Sequence, residues 1–184
     1  MKRIIIFEGP DGCGKTTLAK AVAKRLTTKR ENNHTPSWMD AVYRHHGPYP
    51  MITHGSDLVN IYAGSMAPAL RDYNHVVLDR CWVSEMPYGL AYRNGADRLG
   101  IFRRDYLEQE SCGRETYLCL PPYDVALKNF QATKGEQYLE TVDQFRQVYE
   151  WYKEWGVYSN WRSTFHVVNP FDGRDHAKEI VDGH

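Results

Sequence analysis

The chain has no excess of either charge: 23 Lys and Arg balance 23 Asp and Glu. A dedicated double-stranded DNA binder carries a basic surplus, so that class is disfavoured, although a small basic cleft remains compatible. Long hydrophobic runs are absent too. Stretches such as Ile4–Phe7 are far too short to span a bilayer, and no membrane partner is expected. The N-terminus lacks the features of a secretory signal, because Lys2 and Arg3 lead into a short strand-like run and a glycine-rich turn. Cysteine is sparse. Cys13, Cys81, Cys112 and Cys119 form no CxxC pair and have no His-rich metal spacing beside them. Neither a disulfide framework nor a zinc site is expected, and the thiols read as reduced and cytoplasmic. Repeats and low-complexity stretches are missing as well.

What is present is an ordinary globular composition, 42% hydrophobic and 25% charged in 184 residues. That length reads as a single domain, 1–184. A chain of this size buries about 70% of its unfolded surface, enough for a core without staples.

Short apolar runs alternate with helical spacing. Arg3–Phe7, Ala41–His46, His75–Asp79, Thr116–Leu120 and Thr164–Asn169 read as strands. Lys15–Thr28, Asp57–Tyr73, Ser84–Arg93, Arg98–Ser111, Tyr123–Ala132, Glu136–Trp155 and Arg174–Val181 read as helices. Residues 29–40 are polar and loop-like. The alternation predicts an α/β fold, a doubly wound five-stranded parallel sheet with helices on both faces. In such sheets ligands bind beyond the carboxyl ends of the strands.

Gly9-Pro10-Asp11-Gly12-Cys13-Gly14-Lys15-Thr16 matches G-x-x-x-x-G-K-[ST] without a mismatch, after a strand and before a helix. The glycines let backbone N–H groups wrap phosphate oxygens, and the helix N-terminus adds partial positive charge. Lys15 reaches the outer phosphates. The Thr16 hydroxyl is a ligand type for Mg2+. The reading is a P-loop NTPase fold binding ATP and Mg2+. A guanine-reading NKxD motif is absent, which argues against a switch GTPase. The third strand ends in Asp79-Arg80. Strands one and three are usual neighbours here, so Asp79 is expected near the phosphate loop as a metal-site residue, with Arg80 as a phosphate clamp. The competing reading is a strand-end Asp capping the next helix.

The segment Phe7–Thr17 (FEGPDGCGKTT) resembles the opening of thymidylate kinases. His75–Ser84 (HVVLDRCWVS) is similar to their third-strand segment. Lys134–Leu139 (KGEQYL) and the Ser84-Glu85…Tyr88-Gly89 pattern resemble small phage-type deoxynucleotide kinases. The resemblance implies a nucleoside monophosphate kinase with a lid over roughly residues 122–136, working in the host cytoplasm if phage-encoded. By that resemblance Gly9, Asp11, Gly12, Cys13, Gly14, Lys15, Thr16 and Thr17 cradle ATP, and Asn169–Asp172, with Phe171, packs against the adenine. Asp11 would meet the acceptor sugar or its phosphate, Arg80 the acceptor phosphate, and Asp79 the magnesium. Lys128 and Lys134 would act from the lid.

Two departures matter. Some family members place an Arg inside the phosphate loop; here that position is Gly12, and the lid lysines would have to supply the charge. Thymidylate kinases usually carry a Phe/Tyr-x-Ala-x-Arg segment that reads thymine; here Ile61–Ala67 has no Arg. The acceptor base is therefore open, with dTMP or a related pyrimidine nucleotide favoured. Tyr62, Trp82 and Tyr88 are stacking candidates, each with the core as the competing place. Arg44 or His46 could face the acceptor phosphate, and Ser84 and Glu85 complete the acceptor side. The main alternative is transfer to a hydroxyl, of a nucleoside or of a modified base in nucleic acid, with Glu8, Asp79 or Glu85 as base. A non-catalytic ATP-binding module is the third reading. Family members are often dimers, and the Tyr- and Trp-rich helices offer an interface for one.

Overall fold

The structure, a computed structural model, describes residues 3–28, 41–45, 75–80, 82–92, 115–133, 139, 141–158 and 164–183. The expected helices Asp57–Tyr73 and Arg98–Ser111, the 29–40 loop, and the candidates His46, Tyr62 and Lys134 lie outside the described residues. So do the side chains of Arg44, Trp82 and Glu85.

Five strands form one parallel sheet: β1 (Arg3–Glu8), β2 (Ala41–His45), β3 (His75–Asp79), β4 (Glu115–Cys119) and β5 (Thr164–Val168), in the order β2-β3-β1-β4-β5. Successive residues of a strand point to opposite faces. Ile5, Ile6 and Phe7 are nevertheless all buried, as are Val77 and Leu78, so the sheet centre is covered on both sides. That is why β1 and β3 read as unbroken apolar runs rather than alternating ones. Each such side chain contributes about 1.5–3 kcal/mol by leaving water.

The helices are α1 (Lys15–Thr28), α2 (Glu85–Tyr92, after a tight turn at Trp82–Ser84), α3 (Tyr123–Ala132), α4 (Val142–Tyr158) and α5 (His176–Asp182). Helix α1 packs with α5, and α4 packs with α2 and α3. Three expectations shift. The helix expected from Ser84 begins at Glu85, because residues 82–84 wind more tightly. The helix expected over Glu136–Trp155 runs instead from Val142 to Tyr158. Thr141 starts it with a reciprocal cap: its Oγ1 accepts from the Gln144 amide and Gln144 Oε1 accepts from the Thr141 amide, both at 3.1 Å. Finally, the last helix, expected from Arg174, begins at His176, where the Asp175 side chain accepts from the Lys178 amide; the helix expected over Tyr123–Ala132 is α3, with Ala126 and Phe130 buried.

Parallel pairing puts every strand's carboxyl end on one edge. Phe7 pairs with Asp79, Glu8 with Leu118, and Cys119 with Val168, so the loops after β1, β3, β4 and β5 converge there.

Candidate active site

The phosphate loop leaves β1 at Gly9 and enters α1 at Lys15. Gly12 has φ +75°, and a Cβ there would stand 2.7 Å from the Phe130 amide nitrogen of α3. Asn129 Nδ2 donates to the Gly12 carbonyl at 3.2 Å. No side chain fits at position 12, which is the physical reason an arginine is missing from this loop. Gly14, at φ +79°, admits the 169–172 loop: a Cβ there would lie 3.0 Å from Pro170 Cβ and 3.1 Å from Phe171 Cζ.

Lys15 opens α1, where unpaired amides favour anions. Its side chain is buried, and its ammonium donates to the Pro10 carbonyl. Burial, and then the Arg80 charge, push its pKa below the usual lysine value. Such a cation gains from an incoming anion. Cys13 is buried in the loop, its thiol pushed up to about 12 by burial, so it packs rather than reacts. Thr17 is exposed.

Thr16 Oγ1, in the first turn of α1, donates to Asp79 Oδ2 at the end of β3 at 2.6 Å. Its proton is directed at Asp79, which leaves its lone pairs for a ligand. A hydroxyl and a carboxylate at a phosphate loop are hard oxygen donors of the kind Mg2+ takes, and the ion keeps waters and phosphate oxygens for its other positions. The donor set fits.

Arg80 follows Asp79 with φ +72°, the one described non-glycine residue at positive φ. Its amide donates to the Phe7 carbonyl at 2.8 Å, which pins the turn to β1. The guanidinium is 3% exposed. Nη1 donates to the Gly9 carbonyl (2.8 Å), Ser84 Oγ (3.1 Å) and the Tyr152 hydroxyl (3.4 Å). Nη2 donates to Asp11 Oδ1 and to the Tyr88 hydroxyl (2.6 Å), and the charge lies 4.8 Å from the Tyr88 ring centre. Beneath it, Ser84 Oγ and the Tyr152 hydroxyl each lie 2.8 Å from Glu8 Oε2. Tyr88 is 1% exposed, so its ring offers no open face to a base; it braces Arg80 instead, a correction to the stacking expectation. Asp11 is partly exposed, and its buried Oδ2 has no hydrogen-bond partner among the described residues.

Lys128 is exposed on α3, next to Asn129. The loop after β5 is tied internally. Asn169 Oδ1 accepts from the Phe171 amide at 3.1 Å, and the buried His176 lies 2.9 Å from both the Asn169 carbonyl and Asp172 Oδ1. Phe171 is half-exposed above Gly14. Sequence reasoning missed Tyr152 and Asn129, and took Glu8 only as a possible base. In α4, Tyr152 lies in the apolar stripe with Phe145, Val148 and Tyr149, where a tyrosine reads as core.

Over 97% of its length the chain superposes on solved structures. The YorR protein of Bacillus subtilis, in complex with phosphorylated GDP, matches with TM-score 0.69 and 20% identity, over 97% of this chain and 94% of that one. The chain has the fold of the P-loop nucleoside kinases. Deoxyadenosine kinase from M. mycoides, with products dCMP and a flexible dCDP bound, matches with TM-score 0.63 and 12% identity, over 97% of both chains. Residues 5–77 match the family of ATPases associated with various cellular activities (AAA). A 29-residue stretch is 62% identical to a probable thymidylate kinase of Methanococcus maripaludis strain C6, covering 16% of this chain and 15% of that relative. A strain C7 relative is 59% identical over a stretch of the same length. The match thus spans about 15% of the curated relatives. Among the described residues no helix is long and apolar enough to cross a membrane.

Proposed function

We propose that this kinase fold transfers the γ-phosphoryl group of ATP to a deoxynucleoside monophosphate, with dTMP or a related pyrimidine nucleotide as acceptor. The observation that carries the reading is the buried guanidinium of Arg80, fixed beside the phosphate loop with its Nη2 edge toward the partly exposed Asp11. A fixed planar cation beside a phosphate cradle suits a second, already anionic group. Lys15 and the loop amides bind the donor phosphates, and the 169–172 loop with Phe171 takes the adenine. Thr16 and Asp79 would hold Mg2+, which when bound neutralises phosphate charge. An acceptor phosphate oxygen forms the new bond to the γ-phosphorus while the β–γ bridging bond breaks and ADP leaves. No base is required, because the acceptor oxygen is already ionised; the residues position groups and neutralise charge.

A second reading is favoured by the whole-chain likeness to a deoxyadenosine kinase: transfer to a nucleoside hydroxyl. It requires a base. Two of the candidates, Glu8 and Asp79, are fully buried and already accept hydroxyl protons. The test is ADP release with ATP and Mg2+ against dTMP, dUMP, dCMP, dGMP and dAMP, then the nucleosides and single-stranded DNA. Turnover with a monophosphate is the expected result. Turnover with nucleosides alone would transfer the conclusion to the hydroxyl reading, and silence on all would leave an ATP-binding module.

A further inference from the structure

Resting on the phosphotransfer reading, we propose that Tyr152 of α4, with Glu8 and Ser84, is a positioning residue that holds the Nη1 edge of Arg80 and so fixes the guanidinium beside the phosphate loop.

The two edges of this guanidinium have different surroundings. The Nη1 edge faces protein: the Gly9 carbonyl, Ser84 Oγ and the Tyr152 hydroxyl. The Nη2 edge donates to the buried Tyr88 and to the partly exposed Asp11. Glu8 Oε2, Ser84 Oγ and the Tyr152 hydroxyl form a triangle with sides of 2.8, 2.8 and 2.9 Å. Two hydroxyl protons are shared among these three oxygens. Lone pairs are left on the side where Nη1 donates. The carboxylate thus reaches Arg80 through two oriented hydroxyls rather than by direct contact, and a freely rotating pair of dipoles becomes a fixed one.

Core packing does not account for this arrangement. A phenylalanine would fill the same stripe, whereas a fully buried hydroxyl is costly unless it is bonded. The hydroxyl bonds of Tyr152 go to Glu8, Ser84 and Arg80. Burial, and then the Glu8 charge, hold its pKa well above the ordinary phenol value, so it keeps the proton the triangle needs. The positive φ of Arg80 adds a reason for a brace, since the turn itself is a conformation non-glycine residues rarely hold.

The experiment compares wild type, Tyr152→Phe, Ser84→Ala, Arg80→Lys and the Arg80→Lys/Tyr152→Phe double variant. Three readouts are taken: kcat and KM for each substrate, thermal melting, and NMR of nitrogen-labelled arginine side chains. Tyr152→Phe is expected to lower kcat roughly 10- to 100-fold through misplacement of Arg80, with the KM for ATP within about twofold. In the double variant the Tyr152 change should add little to the loss from Arg80→Lys, because both act on one group. The Arg80 guanidinium signals, expected to be resolved in wild type, should broaden or average in Tyr152→Phe and, to a lesser degree, in Ser84→Ala. Losses that add independently, or unchanged kcat with unchanged guanidinium signals, would overturn the proposal. Should Tyr152→Phe fail to fold, Ser84→Ala carries the same test. If wild type turns over no acceptor, the phosphotransfer reading fails by itself, and the guanidinium signals still decide whether Tyr152 orients Arg80.

Discussion

Two buried cations, Lys15 and Arg80, sit near enough in this site for the charge of one to act on the other, and they are held in different ways. Lys15 bonds one carbonyl, that of Pro10, on its own loop. Arg80 bonds the Gly9 carbonyl and four side chains drawn from the phosphate loop, the turn after β3, α2 and α4. Burial depresses the pKa of Lys15, whereas the surrounding oxygens and Asp11 outweigh desolvation and raise that of Arg80 well above its ordinary value. One cation is left to be completed by a ligand; the other is held on both edges by oxygens of the protein. The difference follows from chemistry: an ammonium on a flexible stem can swing to a phosphate, while a planar fork is useful when fixed.

The largest expected effect tests the fixed partner. Arg80→Ala leaves Asp11 without its paired guanidinium, and unfolding in urea should show a loss of about 3–5 kcal/mol, as for other broken buried pairs. Next comes the exchangeable partner. Lys15→Ala should lower phosphotransfer by about 100-fold or more while leaving the unfolding free energy within about 1 kcal/mol of wild type. Equal stability losses in the two variants would erase the contrast, and full activity of Lys15→Ala would remove the basis of the functional reading.

The smallest effect is a pH dependence. Native Lys15 favours its neutral form more than the unfolded chain does, so between its depressed native pKa and the ordinary 10.5 the unfolded state binds more protons. Stability relative to Lys15→Met should therefore rise with pH through that window, by at most about 1.4 kcal/mol per unit. Taking the difference between the two proteins isolates Lys15 from the buried thiols and phenols, which titrate toward the alkaline end. A difference that stays flat or falls would mean that Lys15 is not held as a strained cation.

Much of this was legible beforehand. The five strands, their parallel pairing and the phosphate loop follow from local patterns: β-branched runs buried on both faces, and a glycine-rich turn between strand and helix. The start of α4 was legible too, in Thr141 and Gln144, but the apolar pattern hid it behind an earlier start. The bracing of Arg80 was not legible, because Glu8, Ser84, Tyr88 and Tyr152 are separated by up to 144 residues, the span from Glu8 to Tyr152. Nothing in the spacing of α4 tells a core tyrosine from one whose hydroxyl reaches a carboxylate on β1.

By itself, then, the sequence determined the fold class, the glycine-rich loop between β1 and α1, and the placing of Asp79 near that loop, since each is written in neighbouring residues or in the pairing of adjacent strands. Only the tertiary structure decided that α3 closes position 12 to any side chain, that Tyr88 braces rather than stacks, and that Arg80 is bonded on both edges, the Nη2 edge to the partly exposed Asp11. The reason is that hydrogen-bond direction and close packing depend on which distant side chains share a few cubic ångströms, and periodicity along a chain carries no such information.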